Sequence, residues 1–188
     1  RQLTIAPISK KSPNWKLPKP SKNAYKMTIV LPASPQIQKP KEGFSLALET
    51  SSYTLITIAR QASKYFSESG GSVISMTFDA SNRVYPGYNV MGIAKAALEN
   101  INRQLSAEYG PRKIRFNSIS AGPLPSLSAR SIPGFTEMRK AHEQRSPIKR
   151  PITHEEVANT ALFLVSDLST GITGSIIPVD GGYGIIAL

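Results

Sequence analysis

Residues 83–100 read RVYPGYNVMGIAKAALEN, and this stretch decides the fold. Pro86 and Gly87 interrupt the chain, and the apolar residues after them recur with the period of a helix rather than a strand. Tyr88 stands at the start of this helix, and Lys95 follows two turns later on roughly the same face. Because an ammonium beside a phenol stabilises the phenolate, the spacing predicts a proton-donating tyrosine whose pKa lies below its usual value of about 10. The spacing alone leaves a second interpretation open, a boundary tyrosine and a solvated lysine.

Three motifs together resemble those of one enzyme family. They are YNVMGIAKAALE at 88–99, KIRFNSISAGPL at 113–124 and GITGSIIPVDGGYG at 171–184. In order and spacing they resemble the enoyl-acyl-carrier-protein reductases of bacteria and plastids, a branch of the short-chain dehydrogenase/reductase superfamily. The resemblance runs from about residue 42 to the C-terminus. It implies a truncated, doubly wound, Rossmann-like α/β fold with a parallel sheet.

The resemblance also implies roles for the two residues of the first motif. Tyr88 corresponds to the tyrosine that faces the thioester carbonyl of the enoyl substrate. Lys95 corresponds to the lysine that holds the nicotinamide ribose. The position ten residues before the tyrosine, where the family often carries a second aromatic hydroxyl, is Phe78 in this chain.

The turn AGPLPSL, residues 121–127, follows a strand predicted at 113–120. Ligands of open α/β sheets bind at the carboxyl ends of the strands, so this turn is placed to meet a cofactor. The resemblance implies that the backbone near Leu124 binds the nicotinamide carboxamide and that the Ser126 hydroxyl binds the pyrophosphate. A purely structural turn is the alternative.

Hydrophobic patterning predicts further elements on both sides of these motifs. We expect strands at 27–30, 72–78 and 171–179 and a long helix at 42–69. The apolar residues of that helix define a predicted core face, made of Phe44, Ala47, Leu48, Tyr53, Leu55, Ile58 and Ala59.

The C-terminal third carries a helix start signal and both histidines. Thr153 and Glu156 form the pattern of a capping box before an apolar-faced helix. Residues 128–150 resemble the mobile, substrate-covering segment of the reductases, which is compatible with a plain pair of exposed, charged helices. His142 and His154 lie far apart without a cluster of metal ligands, so a surface or helix-start position is expected for each.

Composition limits the class of protein. With 188 residues and 40% hydrophobic content, the chain is long enough for one domain with a core. It has no cysteine, which excludes disulfides and thiolate metal sites. No apolar run approaches eighteen residues, so no membrane span is predicted.

The net charge of +11 is concentrated at the N-terminal end. Residues 1–41 contain nine Lys and Arg residues and no Asp or Glu, whereas the remainder contains fourteen against twelve. Prolines are also frequent there, so we divide the chain into an extended basic arm at 1–26 and a reductase-like domain at 27–188. Such an arm predicts a polyanionic partner, with nucleic acid the leading candidate, whereas composition alone favours a disordered tail. Trp15 and Tyr25 would add stacking to the charge, with packing on the chain's own body as the alternative for these two residues. The predicted partner contacts are Arg1, Lys10, Lys11, Lys16, Lys19, Lys22 and Lys26.

The glycine-rich turn that holds a dinucleotide pyrophosphate is not recognisable, because no glycine precedes Gly43. The adenine half of a cofactor site is therefore expected to be absent, and no cofactor is expected in this chain. The sequence hypothesis is a non-catalytic structural subunit of a larger assembly, such as an organellar ribosome in a mitochondrion or plastid, with association through the body as well as the arm. The alternatives are an active NADH-dependent reductase of fatty acid synthesis whose N-terminal cofactor-binding segment is missing from this chain, and an orphan fragment.

Overall fold

The computed structural model describes residues 28–30, 40–130, 132 and 134–186. Its centre is a four-stranded parallel sheet in which neighbouring strands follow the order of the sequence. The strands are β1 Thr28–Val30, β2 Gly71–Thr77, β3 Ile114–Ala121 and β4 Ile176–Val179. Val73 of β2 pairs with Phe116 of β3, and Ile119 of β3 pairs with Ile177 of β4. The predicted arm at 1–26 lies outside the described residues.

Helices connect the strands, as parallel pairing requires. The α-helices are α1 Pro40–Leu48, α2 Thr54–Ala62, α3 Asn89–Tyr109, α4 Leu127–Arg130, α5 Phe135–Arg145 and α6 His154–Val165. A π-helix, Glu49–Tyr53, joins α1 to α2, and a 3₁₀ turn, Ser63–Tyr65, follows α2. Within the described part of the chain, no helix combines the length and the hydropathy needed to cross a bilayer.

The sheet is covered on both faces, which confirms the predicted doubly wound class. On one face α2 and α3 pack on β2 and β3, burying Leu55, Ala59, Val73, Leu98, Leu105, Ile114 and Phe116. On the other face α6 packs on the sheet, burying Ile74, Ile119, Ala121, Ile152, Val157, Ala161 and Leu164. Since strand side chains alternate between faces, Val73 and Ile74 belong to different clusters.

The long helix predicted at 42–69 is interrupted and ends early. In the π-helix the Thr54 N–H donates to the carbonyl of Glu49, five residues back, so one residue is inserted and the following face is rotated by about 100°. Phe44, which precedes the insertion, and Tyr53, which lies within it, are both predicted to be core, but they are 42% and 53% exposed. Ser52 is buried in this region, where its hydroxyl donates to the carbonyl of Ala94 at 2.7 Å.

The chain turns between the Ser63–Tyr65 3₁₀ turn and β2 at a glycine. Gly70 has a φ of 89°, and a Cβ there would collide with the carbonyl oxygen of Lys113. The predicted strand at 171–179 is shorter in the structure, because residues 171–175 form a turn. In that turn the Asn117 side chain donates to the carbonyl of Ile172 at 2.9 Å and accepts from the N–H of Ser175 at 3.1 Å.

The capping box at the start of α6 is confirmed. The Thr153 hydroxyl accepts from the N–H of Glu156 at 3.2 Å, and the Glu156 carboxylate accepts from the N–H of Thr153 at 2.8 Å. Arg150 forms a second contact with this carboxylate, at 2.6 Å. Leu127–Arg130 and Phe135–Arg145 form the expected pair of helices, α4 and α5, although Phe135 and His142 of α5 are buried rather than exposed.

Candidate active site

A cavity of about 460 Å³ opens where β2 and β3 end at their carboxyl termini. Its walls come from the ends of both strands, the turn after β3, the first two turns of α3 and the facing sides of α5 and α6. Most of the lining is apolar, including Met76, Met91, Phe135 and Val157. An apolar hollow at the strand ends is a common place for a ligand in a parallel α/β sheet.

Tyr88 lies at the edge of this cavity, immediately before α3. A short turn delivers it there: the N–H of Tyr88 donates to the carbonyl of Tyr85 at 3.0 Å, and Asn89 adopts a φ of 35°. Its ring meets Phe78 edge-on at a centroid distance of 5.3 Å. Burial raises the pKa of Tyr88 to about 12. The predicted lowering of this pKa by Lys95 is therefore wrong, because desolvation of the phenolate dominates.

Lys95 lies in the same cavity, two turns along α3, as the spacing predicts. The residue is only 2% exposed, so the alternative of a solvated lysine is wrong. Its Nζ donates to the carbonyl oxygen of Met76 at 2.9 Å, which uses one of the three hydrogens of an ammonium. Burial lowers the pKa of Lys95 to about 7, and the charge of Glu99 partly opposes that effect.

Leu124 and Ser126 also line the cavity, from the turn after β3. The carbonyl of Leu124 accepts from the N–H of Ser126 at 2.8 Å. The Ser126 hydroxyl accepts from the N–H of Ala129 at 3.1 Å and so helps to cap α4. The structure thus brings Tyr88, Lys95, Leu124 and Ser126 to one cavity, while the cofactor contacts assigned to Leu124 and Ser126 stay predictions.

A polar cluster holds the turn that carries Tyr88. Phe78 contacts two tyrosine rings, because Tyr85 lies at a centroid distance of 4.7 Å in addition to Tyr88. The Tyr85 hydroxyl donates to Asp79 at 3.3 Å, and Asp79 pairs with Arg83 at 3.4 Å. Arg83 in turn donates to the carbonyls of Gly184 and Ile186. The turn is therefore tied to the C-terminal segment.

Two polar residues beside Lys95 were not predicted from the sequence. Glu99 is 5% exposed and accepts a hydrogen bond from the Thr77 hydroxyl at 2.6 Å. A signal for Glu99 was present, because Met91, Lys95 and Leu98 occupy the same helical stripe and Glu99 continues it. Thr77 carried no signal beyond its place at the end of a buried strand.

The two histidines differ in their burial. The expectation for His142 is wrong, because it is 3% exposed and stacks on Tyr183 at a centroid distance of 4.4 Å. Gly122 makes room for it, since a Cβ there would lie 2.7 Å from the imidazole. Burial lowers the pKa of His142. His154 does begin α6, as expected, and is exposed while also lining the cavity. No group of three or more His, Asp or Glu side chains suited to a metal ion occurs among the described residues.

Known proteins are similar to this chain in both sequence and architecture. A family model described as enoyl-(acyl carrier protein) reductase matches residues 27–184. An enoyl-acyl-carrier-protein reductase (NADH) of Synechocystis sp. is 50% identical over 149 residues, which are 79% of this chain and 57% of that protein. The corresponding enzyme of Bacillus subtilis is 46% identical over 147 residues, covering 78% and 57%. The chain thus spans a little more than half the length of these curated relatives.

Solved structures of enoyl-acyl-carrier-protein reductases also resemble this chain. The enoyl-acyl-carrier-protein reductase of Aquifex aeolicus superposes with a TM-score of 0.80 at 36% identity, over 86% of this chain and 65% of that one. The enzyme of Anaplasma phagocytophilum, solved in complex with NAD, gives 0.80 at 31% identity over 86% and 64%. The matched family model, the relatives and the shared fold show that this chain belongs to the enoyl-acyl-carrier-protein reductase family, within the short-chain dehydrogenase/reductases.

Proposed function

We propose that this chain supplies the substrate-facing and nicotinamide-facing part of an NADH- or NADPH-dependent enoyl-acyl-carrier-protein reductase of fatty acid biosynthesis. One observation carries the proposal: Tyr88 and Lys95, both largely buried, stand in the wall of one apolar cavity at the strand ends. The proposed substrate is a trans-2-enoyl thioester, and the product is the saturated thioester. Relatives of this chain include reductases named for NADH and for NADPH, which supports this choice of cofactor.

The residues present fit the nicotinamide end of such a cofactor. Lys95 has two ammonium hydrogens beyond the one that binds Met76, and its pKa of about 7 leaves the charged form accessible at neutral pH. Those hydrogens would hold the hydroxyls of the nicotinamide ribose. The backbone at Leu124 would bind the carboxamide, and Ser126 would bind the pyrophosphate. When bound, a reduced nicotinamide would supply the hydride that adds to the β-carbon of the enoyl group, and a proton taken up from solvent at the α-carbon would complete the saturated thioester.

Tyr88 is suited to act on the thioester oxygen. Because burial raises its pKa to about 12, the side chain is a neutral phenol at physiological pH and its hydroxyl remains a donor. A hydrogen bond from this hydroxyl to the thioester carbonyl oxygen stabilises the negative charge that develops there during reduction. In a desolvated cavity such a donor is worth more than in water, since competing water is excluded.

The apolar walls accept the acyl chain. Met76, Met91, Phe135 and Met138 line the cavity, and a volume of about 460 Å³ falls within the range of small-molecule sites. Methionine side chains adapt to a flexible chain at low cost. Two of these four residues come from α5, in the segment that resembles the family's substrate cover.

A spectrophotometric assay tests the proposal. The protein is purified at its native length and mixed with a trans-2-enoyl thioester and NADH or NADPH, and absorbance at 340 nm is followed. We expect consumption of one cofactor that depends on the enoyl thioester, with the saturated thioester identified by mass spectrometry. The saturated thioester, added in place of the enoyl substrate, is the matched control. A folded protein that consumes neither cofactor contradicts the proposal.

The comparisons favour this proposal over the non-catalytic subunit predicted from the sequence. The relatives named above are reductases, and nothing in the described fold supports a ribonucleoprotein subunit or the expectation that no cofactor binds.

For the basic segment at 1–26, we propose from its charge alone that it binds a polyanionic partner. Location in a mitochondrion or plastid, and association through the body, stay predictions.

A further inference from the structure

We propose that Glu99 is a positioning residue for Lys95: its buried carboxylate, held by Thr77, is the counter-ion that keeps the lysine charged and directed into the cavity. The inference deepens the proposed function and rests on it, because it explains how the cavity keeps a working ammonium in an apolar wall.

The geometry couples the two side chains to one strand end. Lys95 and Glu99 lie four residues apart on α3, which places them on neighbouring turns of the same face. Lys95 donates to the carbonyl of Met76 at 2.9 Å, and Glu99 accepts from the hydroxyl of Thr77 at 2.6 Å. Met76 and Thr77 are consecutive residues at the carboxyl end of β2. Helix α3 is therefore held to the end of β2 through one basic and one acidic side chain, each with its own hydrogen bond to that strand.

Because Lys95 and Glu99 are both buried, the charge of Glu99 affects the protonation of Lys95. Thr77, Lys95 and Glu99 are 4%, 2% and 5% exposed. Removing an ammonium from water favours its neutral form, and an opposite charge within the same low-dielectric region counteracts that tendency. A glutamine at position 99 would accept the same hydrogen bond from Thr77. The hydrogen bond from Thr77 therefore does not require an acidic residue at position 99. A negative charge for Lys95 does require one.

The other groups around Lys95 do not supply this charge. Two other titratable residues line the cavity with Lys95: Tyr88 is a neutral phenol at physiological pH, and His154 carries no negative charge in either protonation state. The π-helix contributes neutral Ser52, which bonds to the carbonyl of Ala94, the residue before Lys95. Asp79, beyond the end of β2, is paired with Arg83 at 3.4 Å.

Lysine NMR measures the effect without turnover. The 188-residue chain is labelled with ¹³C at the lysine Cε atoms, the Lys95 signal is assigned by its loss in Lys95→Met, and its titration midpoint is recorded. We expect the wild-type midpoint at about 7. In Glu99→Gln we expect it to fall by about one unit, the size of effect typical of losing a nearby opposite charge. Glu108→Gln, which removes an exposed carboxylate from the same helix, is the matched control and should leave the midpoint unchanged.

A folded Glu99→Gln chain with the wild-type midpoint overturns the inference. If Glu99→Gln does not fold, Thr77→Val decides, because it removes the hydrogen bond that holds the carboxylate: a lowered Lys95 midpoint supports the inference and an unchanged one overturns it. The enoyl reductase assay is separate. A midpoint shift without any reductase activity rejects the proposed reaction but keeps Glu99 as the counter-ion of Lys95. Reductase activity without a midpoint shift keeps the proposed reaction but rejects this role of Glu99.

Discussion

Replacing Lys95 with methionine tests whether the structure buries a titrating ammonium. Lys95 has a pKa of about 7 in the folded chain, against 10.5 in an unfolded one. Between these pH values Lys95 is protonated in the unfolded chain and neutral in the folded chain. Proton binding therefore stabilises the unfolded state, and this stabilisation decreases as the pH rises. The free energy of unfolding therefore rises with pH in this window.

The expected size follows from the two pKa values. Integrating the proton difference from pH 7.5 to pH 9.5 gives a rise of about 2–3 kcal/mol in the free energy of unfolding. Tyr88 does not mask this rise, because its folded pKa of about 12 lies above its unfolded value of 10.0 and its effect, a loss of stability, begins near pH 10. Methionine keeps the apolar stem and removes the charge, so Lys95→Met should lose the rise.

Urea denaturation followed by circular dichroism across this pH range measures the effect. The matched control is Lys64→Met, which removes an exposed lysine and should retain the wild-type slope. If Lys95→Met shows the same pH dependence as the wild-type chain, the ammonium is not buried as described and the reasoning about this site is refuted.

Three further predictions concern a helix cap, a close contact and the basic arm. Thr153→Ala removes the capping box of α6 and should lower the free energy of unfolding by about 1 kcal/mol in urea denaturation. Gly122→Ala places a Cβ 2.7 Å from the His142 ring, so overpacking should cost about 1–3 kcal/mol in the same measurement. Replacing the seven basic residues of segment 1–26 with glutamine should weaken binding to a polyanion and flatten its salt dependence, measured by fluorescence anisotropy with labelled RNA. Equal binding and equal salt dependence in both chains would count against the proposed role of the arm.

Much of the fold follows from local signals in the sequence. The helical period after Pro86 predicts α3, and the Thr153 and Glu156 pattern predicts the cap of α6, because both depend on residues within a few positions of each other. The sheet strands are predicted to within one residue at 72–78 and 113–120 for the same reason. The strand predicted at 171–179 is confirmed only at Ile176–Val179, since the Asn117 side chain, more than fifty residues away, holds residues 172 and 175 in a turn.

The errors at the site arise from burial, which a spacing argument does not contain. The spacing of Tyr88 and Lys95 predicts their shared face correctly but predicts a lowered pKa for Tyr88, whereas desolvation raises it. His142 is buried because Gly122 and Tyr183 lie against it, and neither contact is visible in the sequence. The π-helix similarly changes which residues of the 42–69 segment face the core.

The central claim is that Tyr88 acts on the thioester, and one rate comparison tests it most directly. Enoyl-thioester-dependent oxidation of NADH or NADPH is measured for wild-type protein, for Tyr88→Phe and for Tyr53→Phe, which alters an exposed tyrosine as a control. Since the substitution removes only one hydroxyl, Tyr88→Phe should stay folded and lose activity by about 100-fold or more, as expected for a lost donor at the reacting oxygen. Tyr53→Phe should retain the wild-type rate. A Tyr88→Phe protein that turns over as fast as the wild type would contradict the account.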